Sequence, residues 1–409
     1  MKNMRINNAF ILQDDGVFRR GSLEIDGRRI FSIDLPGECD AVPASVPGSG
    51  IFPYHSDGSR DLIEAEGCYA IPGLIDLHFH GAVGYDICDG TRESYEKISE
   101  YEACHGITSI CPATLTLPAE DLRNVLRTGA SFREEMLAAD GPVRARHADL
   151  VGFNMEGPFI SHAKKGAQNE EYILPCDIEA ARSFYEASGG LVRMIGLAPE
   201  ENPDFAPFIE AVSSFARVSL AHSNADYDTA LRAIRAGARH AVHLYNAMPE
   251  FLHRAPGIVG AVADSPDVTA ELICDGIHVH PALVRATITM MGAGRMIFIS
   301  DSLRCTGMPD GIYELGGQDV KKSGRYCTLA EGGNLAGSVS NLMDCLINSV
   351  KNMGLPLETA VQCASANPAK ALGIYDICGS LTPGKRADIV LLGKDLSRKA
   401  VIKDGIRIV

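Results

Sequence analysis

The stretch Ile71-Pro-Gly-Leu-Ile-Asp-Leu-His-Phe-His80 is an apolar, β-branched run that ends in His-x-His. Successive residues of a strand point to opposite faces, so His78 and His80 are predicted to project from the same side. Two imidazoles on one face at the end of a buried strand make half of a metal site. A His-x-His pair also fits two hydrogen-bonded structural histidines, so the rest of the chain has to decide between a metal site and a structural pair.

Outward from His80, short apolar segments alternate with helical patterns such as Thr91–Cys104 and Glu120–Ala138. Eight such alternations predict an α/β chain with a (β/α)8 TIM-like barrel over residues 71–378, with a doubly wound open sheet as the alternative. The eight predicted strands are Leu74–His80, Ser109–Thr114, Leu150–Glu156, Arg193–Ala198, Val218–His222, His240–Asn246, Thr269–Ile277 and Met296–Asp301.

Both ends of the chain are predicted to be short strands separated by turn signals, as at Asp26-Gly27. Residues 1–70 and 379–409 are therefore predicted to form one small β-sandwich domain together. Within the first segment, Pro36–Ser59 is rich in Pro, Gly and Ser, which is typical of a surface excursion between strands. A second Gly-rich stretch, Gly307–Gly337, predicts a hairpin or an ordered loop.

Composition limits the partners and the compartment. The 409 residues carry a net charge of −14, which argues against a nucleic-acid partner. No apolar run approaches the ~18 residues of a membrane helix, so no membrane partner is expected. The 12 cysteines form no Cys-x-x-Cys pair and the first residues show no export signal, so a cytoplasmic location with reduced thiols is predicted.

Polar side chains stand at the ends of five predicted strands, where a barrel carries its chemistry. Four imidazoles and two carboxylates are a donor set for one or two divalent metal ions, with Zn favoured and Fe, Mn or Co compatible. Other histidines, such as His147 and His240, are predicted to be structural or solvated. The six candidate donors are His78, His80, Glu156, His222, His243 and Asp301.

Seven longer motifs, given at the end of this paragraph, resemble those of a known family. In these motifs the chain resembles the amidohydrolase superfamily, and more closely its branch of N-acetylglucosamine-6-phosphate deacetylases. HLYNAM, AHSNA and DGIHV point to that branch, whereas the C-terminal string is typical of the whole superfamily. The strings are PGLIDLHFHG (72–81), MEGPF (155–159), KKGAQ (164–168), AHSNA (221–225), HLYNAM (243–248), DGIHV (275–279) and GSLTPGKRADIV (379–390).

The resemblance implies hydrolysis of N-acetyl-D-glucosamine 6-phosphate to D-glucosamine 6-phosphate and acetate, in amino-sugar catabolism and recycling. It implies that Glu156, His222 and His243 hold one metal ion. His78 and His80 would hold a second, and Asp301 would be the catalytic carboxylate, in contact with metal.

The resemblance also implies a set of residues around the substrate. His278 would assist catalysis, and Arg254 would reach the substrate phosphate of a neighbouring subunit, which implies a homodimer. The substrate-contacting residues implied are Ala167, Gln168, Asn246, Ala247, Arg254, Asp275, His278, Leu335, Ala336 and Gly337.

One departure and three alternatives stay open. Many relatives carry His where this chain has Gln168, which can act only through neutral hydrogen bonds, so its role is undecided. The substrate could instead be another N-acetylhexosamine 6-phosphate, such as the galactosamine epimer. The chain could be a cyclic-amide hydrolase or a deaminase, although many of those carry a carboxylated Lys or a further His in place of Glu156. A non-catalytic scaffold would be expected to have lost metal donors, and all six are present here.

Overall fold

The computed structural model describes residues 3–35 and 60–409, so the predicted excursion at Pro36–Ser59 lies outside the described residues. A parallel arrangement of eight strand positions follows the order of the chain. It consists of a three-stranded and a seven-stranded sheet, and positions two and three each contribute one strand to both. In order, its strands are Leu74–Asp76, Ile107–Ile110 with Ala113–Thr114, Asp149–Leu150 with Phe153–Met155, Val192–Leu197, Arg217–Leu220, His240–Ala241, Thr269–Ile273 and Met296–Ile299.

The last and first strand positions meet beyond their ends. The amide of Asp301 donates to the carbonyl of His78 at 3.0 Å, and the amide of His80 donates to the carbonyl of Ser302 at 2.8 Å. In a doubly wound sheet the strand order changes direction part-way across the sheet, and the described strands show no such change. Backbone hydrogen bonds therefore join the segments that follow the last and the first strand positions.

Both faces of the parallel sheet are buried. In Met296–Ile299, Ile297 and Ile299 belong to one apolar cluster, whereas Met296 and Phe298 belong to a second, larger cluster that includes the helices. Strands buried on both faces need apolar side chains at successive positions, so these strands appear in the sequence as continuous apolar runs.

Helices and one hairpin sheet surround the strands. Leu342–Lys351 begins with a capping box in which Asn341 and Asp344 satisfy each other's backbone amides. The predicted helix Leu357–Leu372 is broken at Ser365, because Pro368 lacks the N–H that a continuous helix would use. The α-helices are Arg92–Cys104, Ala119–Ala138, Gly141–Ala145, Ile178–Ala187, Ala206–Val212, Tyr227–Ala236, Gly257–Ala263, Pro281–Met291, Leu342–Lys351, Leu357–Ala364 and Ala366–Ala371; the hairpin sheet, within the predicted stretch Gly307–Gly337, is Gly311–Leu315, Gln318–Ser323 and Tyr326–Leu329.

The two ends of the chain share one sheet with its own apolar core. Tyr69–Pro72 pairs with the N-terminal strand on one side and with the C-terminal strand Ile389–Leu392 on the other. The strands of this terminal sheet are Asn3–Leu12, Phe18–Asp26, Arg29–Asp34, Arg60–Glu64, Tyr69–Pro72, Ile389–Leu392, Arg398–Lys403 and Ile406–Arg407. No helix among the described residues combines the length and the apolar character needed to cross a bilayer.

Candidate active site

The six candidate donors lie just beyond the carboxyl ends of the parallel strands. The predicted strands included these residues, but the observed strands end earlier; His240–Ala241, for example, ends two residues before His243. His222, His243 and Asp301 have positive φ angles of 42°, 24° and 51°, which a strand cannot contain. Each left-handed, non-glycine residue costs roughly 1–3 kcal/mol, and such strain collects at functional sites.

Glu156 stands at the centre of the cluster and is 2% exposed. Its Oε1 lies 2.9 Å from Nε2 of His222, 2.8 Å from Nε2 of His243 and 3.4 Å from Nε2 of His78. Its Oε2 lies 3.7 Å from Nε2 of His80. Burial by itself would raise the pKa of Glu156, but His222 and His78 hold that pKa well below its usual range. The carboxyl group is therefore held as a carboxylate.

The sixth donor, Asp301, faces the first-strand histidines. Its Oδ1 lies 3.3 Å from Nε2 of His80 and 3.8 Å from Nε2 of His78. Burial opposes its ionisation, yet His80 and the charge on His78 lower its pKa below the usual value. Asp301 is therefore also held ionised.

The four histidines share one hydrogen-bonding pattern. Each Nδ1 contacts an oxygen that can only accept, so each Nδ1 carries a proton and Nε2 is the ring atom that faces the carboxylates. The Nδ1 partners are Glu271 Oε2 for His78, the carbonyl of Ala113 for His80, the carbonyl of Lys164 for His222 and the carbonyl of Asn246 for His243, at 2.7–3.1 Å.

This arrangement fits a divalent metal. Four imidazole Nε2 atoms and two carboxylates converge in one buried cluster, and Nε2 of His78 is buried without a hydrogen-bond partner among the described residues. Two overlapping groups have donor atoms within 4.8 Å of one another: His78, Glu156 and His243 in one, His78, His80 and Asp301 in the other. Imidazole and carboxylate donors suit Zn, Fe, Mn and Co, and the donor set does not choose among them.

Glu271 is a functional residue that sequence reasoning missed, because it lies inside the strand Thr269–Ile273. Its Oε2 accepts from Nδ1 of His78 at 2.8 Å and from the amide of His243 at 2.9 Å. Its Oε1 lies 2.8 Å from Nε2 of His240, a histidine correctly predicted to be structural. Burial opposes ionisation of Glu271, but His78 and His240 hold its pKa well below the usual range. A buried anion thus orients one proposed metal ligand and positions the backbone of another.

Replacing Glu271 with glutamine should weaken metal binding by roughly 10–100-fold, as is typical when the hydrogen-bond partner of a ligating histidine is lost. The measurement is a competition titration with a chelator. Glu102→Gln is the matched control, since Glu102 is also fully buried but has no hydrogen-bond partner among the described residues. Equal metal affinity in both variants would contradict a positioning role for Glu271.

Gln168 also contacts the cluster. Its carbonyl oxygen accepts from the amide of Thr116 at 2.6 Å and from the Thr116 hydroxyl at 2.8 Å. These two bonds fix the amide orientation, so its Nε2 donates to Oε2 of Glu156 at 2.5 Å. Gln168 therefore acts by neutral hydrogen bonding on a proposed metal ligand, which explains how an amide fits at this position.

His278 is held by its neighbour Asp275. Its Nδ1 donates to Oδ2 of Asp275 at 2.8 Å, and Oδ1 of Asp275 accepts from the amides of Ile277 and His278. Burial alone would lower the pKa of His278, but the bond to Asp275 raises that pKa above the usual value. The negative charge of Asp301 also contributes to this rise in pKa.

The remaining predicted substrate residues lie at different depths. Ala247 has a left-handed backbone with φ 51°, and its neighbour Asn246 supplies the carbonyl that holds His243. The carbonyl of Ala167 accepts from Gln318 on the hairpin sheet at 2.6 Å. Leu335 is exposed, Ala336 is buried and Gly337 has φ 48°. Arg254 is exposed.

Comparison with known proteins agrees with this site. The Amidohydrolase family pattern matches residues 69–407. The chain belongs to the amidohydrolase family. An N-acetylglucosamine-6-phosphate deacetylase of Bacillus subtilis is 35% identical over 396 residues, which cover 96% of this chain and 94% of that protein. An N-acetylgalactosamine-6-phosphate deacetylase of Escherichia coli O157:H7 is 34% identical over 325 residues, 80% of this chain and 84% of the other.

Solved structures of family members superpose over the whole chain. A mutant N-acetyl-D-glucosamine-6-phosphate deacetylase from Mycobacterium smegmatis, in complex with N-acetyl-D-glucosamine-6-phosphate, is 28% identical with a TM-score of 0.84, covering 100% of this chain and 99% of that one. The deacetylase from Pasteurella multocida is also 28% identical, with a TM-score of 0.84 and 98% coverage of both chains. The resemblance inferred from the motifs is therefore confirmed.

Proposed function

We propose that this amidohydrolase hydrolyses the acetamide of N-acetyl-D-glucosamine 6-phosphate to D-glucosamine 6-phosphate and acetate, in amino-sugar catabolism and recycling. The observation that carries the proposal is the set of four histidine Nε2 atoms and Asp301 gathered around Glu156. Relatives with this activity in their names align with nearly the whole chain. The sugar phosphate is the proposed partner.

Glu156, His222 and His243 would hold one metal ion, and His78, His80 and Asp301 would hold a second. Zn is the proposed metal at both, and Fe, Mn or Co would suit the same donors. A divalent cation there supplies Lewis acidity, which polarises the amide carbonyl and makes water a stronger acid near neutral pH.

Two side chains would then act on the substrate: Asp301 would transfer a proton from water, and His278 would hydrogen-bond to the carbonyl oxygen. Asp301 accepts the proton of the attacking water at its carboxylate and passes it to the amide nitrogen as the C–N bond breaks, first as base and then as acid. His278, oriented by Asp275, donates from Nε2 to the carbonyl oxygen as negative charge develops there. Both roles need the fixed side chains described above, because catalysis depends on pre-organised donors.

Substrate binding would use the loops above the cluster. Ala167, Gln168, Asn246, Ala247 and Asp275 would surround the sugar together with Leu335, Ala336 and Gly337. Arg254 would bind the phosphate of the neighbouring site, because its planar fork suits a dianion. The exposure of Phe251 and Leu252, at 43% and 49%, supports a homodimer, since apolar side chains beside Arg254 would be covered by a second subunit.

The architecture we propose is a closed (β/α)8 barrel over residues 71–378 and a β-sandwich from residues 1–70 and 379–409. The support is the backbone hydrogen bonding between the last and first strand positions, and the shared terminal sheet. A cytoplasmic location stays a prediction.

A panel of N-acetylhexosamine 6-phosphates tests the function, with elemental analysis on the same preparation. The expected result is acetate release from the glucosamine compound and more than one metal equivalent per chain. The galactosamine epimer is the second candidate, because the E. coli O157:H7 relative carries that name. A higher kcat/KM for the epimer would move the assignment to that substrate, and no acetate release from any member would contradict the proposal.

Replacing Arg254 with alanine should raise KM for the phosphorylated sugar by roughly 10–100-fold, because a charge-assisted hydrogen bond contributes ~1.5–3 kcal/mol. KM for the unphosphorylated sugar should hardly change. Mixing Arg254→Ala with Asp301→Asn should restore activity, since one site of a hybrid dimer has both residues intact. If subunits exchange and activity does not return, Arg254 acts within its own chain.

A further inference from the structure

A cavity lies at the opposite end of the parallel strands from the candidate active site. Its volume is about 360 Å³. It is lined by Asp149 and Leu150 at the start of the third strand position, whereas Glu156 follows the end of that position. Asp149 and Glu156 are seven positions apart along this strand position, which corresponds to roughly 20 Å. The cavity is therefore distinct from the donor cluster.

The lining of this cavity is strongly cationic in a chain whose net charge is −14. Six arginines line the cavity, and Asp149 is the one carboxylate among the lining residues. They come from the terminal sheet, from helices and from the strand starts, so the tertiary fold brings them together: Arg28, Arg29, Arg133, Arg144, Arg193 and Arg386.

Three of these arginines belong to a buried ion-pair network that joins the terminal sheet to the parallel sheet. Arg28 and Arg144 bind the two oxygens of Asp404 at 2.9 Å each. Arg386 pairs with Asp149, where burial opposes ionisation but Arg386 lowers the pKa of Asp149 to about 2. These side chains have a structural role and their charge is largely balanced.

Arg29 and Arg193 differ from these three arginines because no carboxylate among the described residues pairs with them. Among the described residues their contacts are backbone carbonyls only: Arg29 donates to Gly384 at 2.5 Å and Arg193 to Val151 at 3.3 Å. A guanidinium has five N–H donors, so both retain donors and a full charge. Arg193 is placed by close packing, because a Cβ at Gly152 would lie 2.2 Å from its Cγ.

The other walls of the cavity are apolar. Phe132 and Met136 are buried, whereas Leu137 and Ile377 are 47% and 51% exposed beside the arginines. Small-molecule sites combine apolar walls with a few polar groups and have volumes from about 300 Å³ upward. A ligand with an anionic head and an apolar body matches both kinds of wall.

We propose that this cavity binds an organic phosphate monoester, with its phosphate on Arg29 and Arg193 and its apolar part against Leu137 and Ile377. Arginine suits this group because the planar fork donates two parallel hydrogen bonds to phosphate oxygens. The site would be additional to the proposed substrate site and independent of Arg254.

Calorimetric titration with phenyl phosphate tests the proposal on the metal-loaded protein. Arg29→Met/Arg193→Met removes the two unbalanced cations without breaking the ion-pair network, and should raise Kd by roughly tenfold or more. Arg182→Met/Arg232→Met is the matched control, because these arginines lie over Phe215 and Phe205, away from the cavity. Leu137→Asp, at an exposed wall position, should also weaken binding through repulsion of the anion.

Inorganic phosphate tests the anionic half of the ligand alone, and phenol tests the apolar half alone. Each should bind more weakly than phenyl phosphate. Equal affinity of phenyl phosphate for the wild type, the Arg29/Arg193 variant and Leu137→Asp would overturn the proposal. So would loss of all binding on Arg254→Met, which would place the phosphate in the substrate site. If inorganic phosphate binds as tightly as phenyl phosphate, the proposed contact of the ligand's apolar part with Leu137 and Ile377 is wrong.

Discussion

Replacing Glu156 with glutamine is expected to remove the metal ion that Glu156 would hold with His222 and His243, and to lower kcat by about 10³-fold or more. Oε1 of Glu156 lies within 3.4 Å of Nε2 of three histidines, so this one carboxylate balances the charge of any cation they hold. Lewis-acid stabilisation is worth several kcal/mol, and each ~1.4 kcal/mol is tenfold in rate. Elemental analysis and acetate release on the same sample measure both effects.

His78→Asn/His80→Gln is the informative comparison for Glu156→Gln. It should lose about one metal equivalent and keep the other, which Glu156, His222 and His243 would retain. Circular dichroism has to show that each variant is folded. If Glu156→Gln keeps the wild-type metal content, Glu156 is not the central ligand; if the double variant loses no metal, the first-strand histidines are not ligands.

Asp301→Asn is expected to lower kcat by ~10²–10⁴-fold, the usual contribution of general acid–base catalysis. Asparagine keeps the size and polarity of the side chain but cannot accept the proton of water. Because Asp301 Oδ1 lies 3.3 Å from His80 and belongs to a possible metal-binding group, the variant could also lose metal. Steady-state kinetics with metal analysis separates the two effects.

The metal held by Glu156, His222 and His243 should remain in Asp301→Asn. A variant with wild-type kcat and full metal content would exclude Asp301 as the proton shuttle. A variant without any metal would make Asp301 mainly a ligand, and His278 would become the next candidate for the base. Ser300→Ala, one residue away and also buried, is a suitable control for local disruption.

The candidate donors could be selected from the sequence because residue type and position at a strand end are both local properties; that they bind metal stays a prediction. The string that ends in His78 and His80 and the motifs around Glu156, His222 and His243 therefore led to one predicted cluster. The strand bounds were less predictable. The predicted strands ran through His222, His243 and Asp301, whereas the structure turns each of them to a positive φ before the side chain enters the cluster.

The sequence by itself determined the family, the alternation of strands and helices and the chemical identity of the six donors. Only the tertiary structure placed Glu271 on His78, 193 residues away, and Gln168 between Thr116 and Glu156, because a hydrogen bond between distant residues leaves no periodic signal. The same holds for the arginine-lined cavity, whose charges are separated by up to 358 positions, from Arg28 to Arg386. Residue type is encoded locally, whereas tautomer, charge balance and cavity shape arise only when burial brings distant groups into contact.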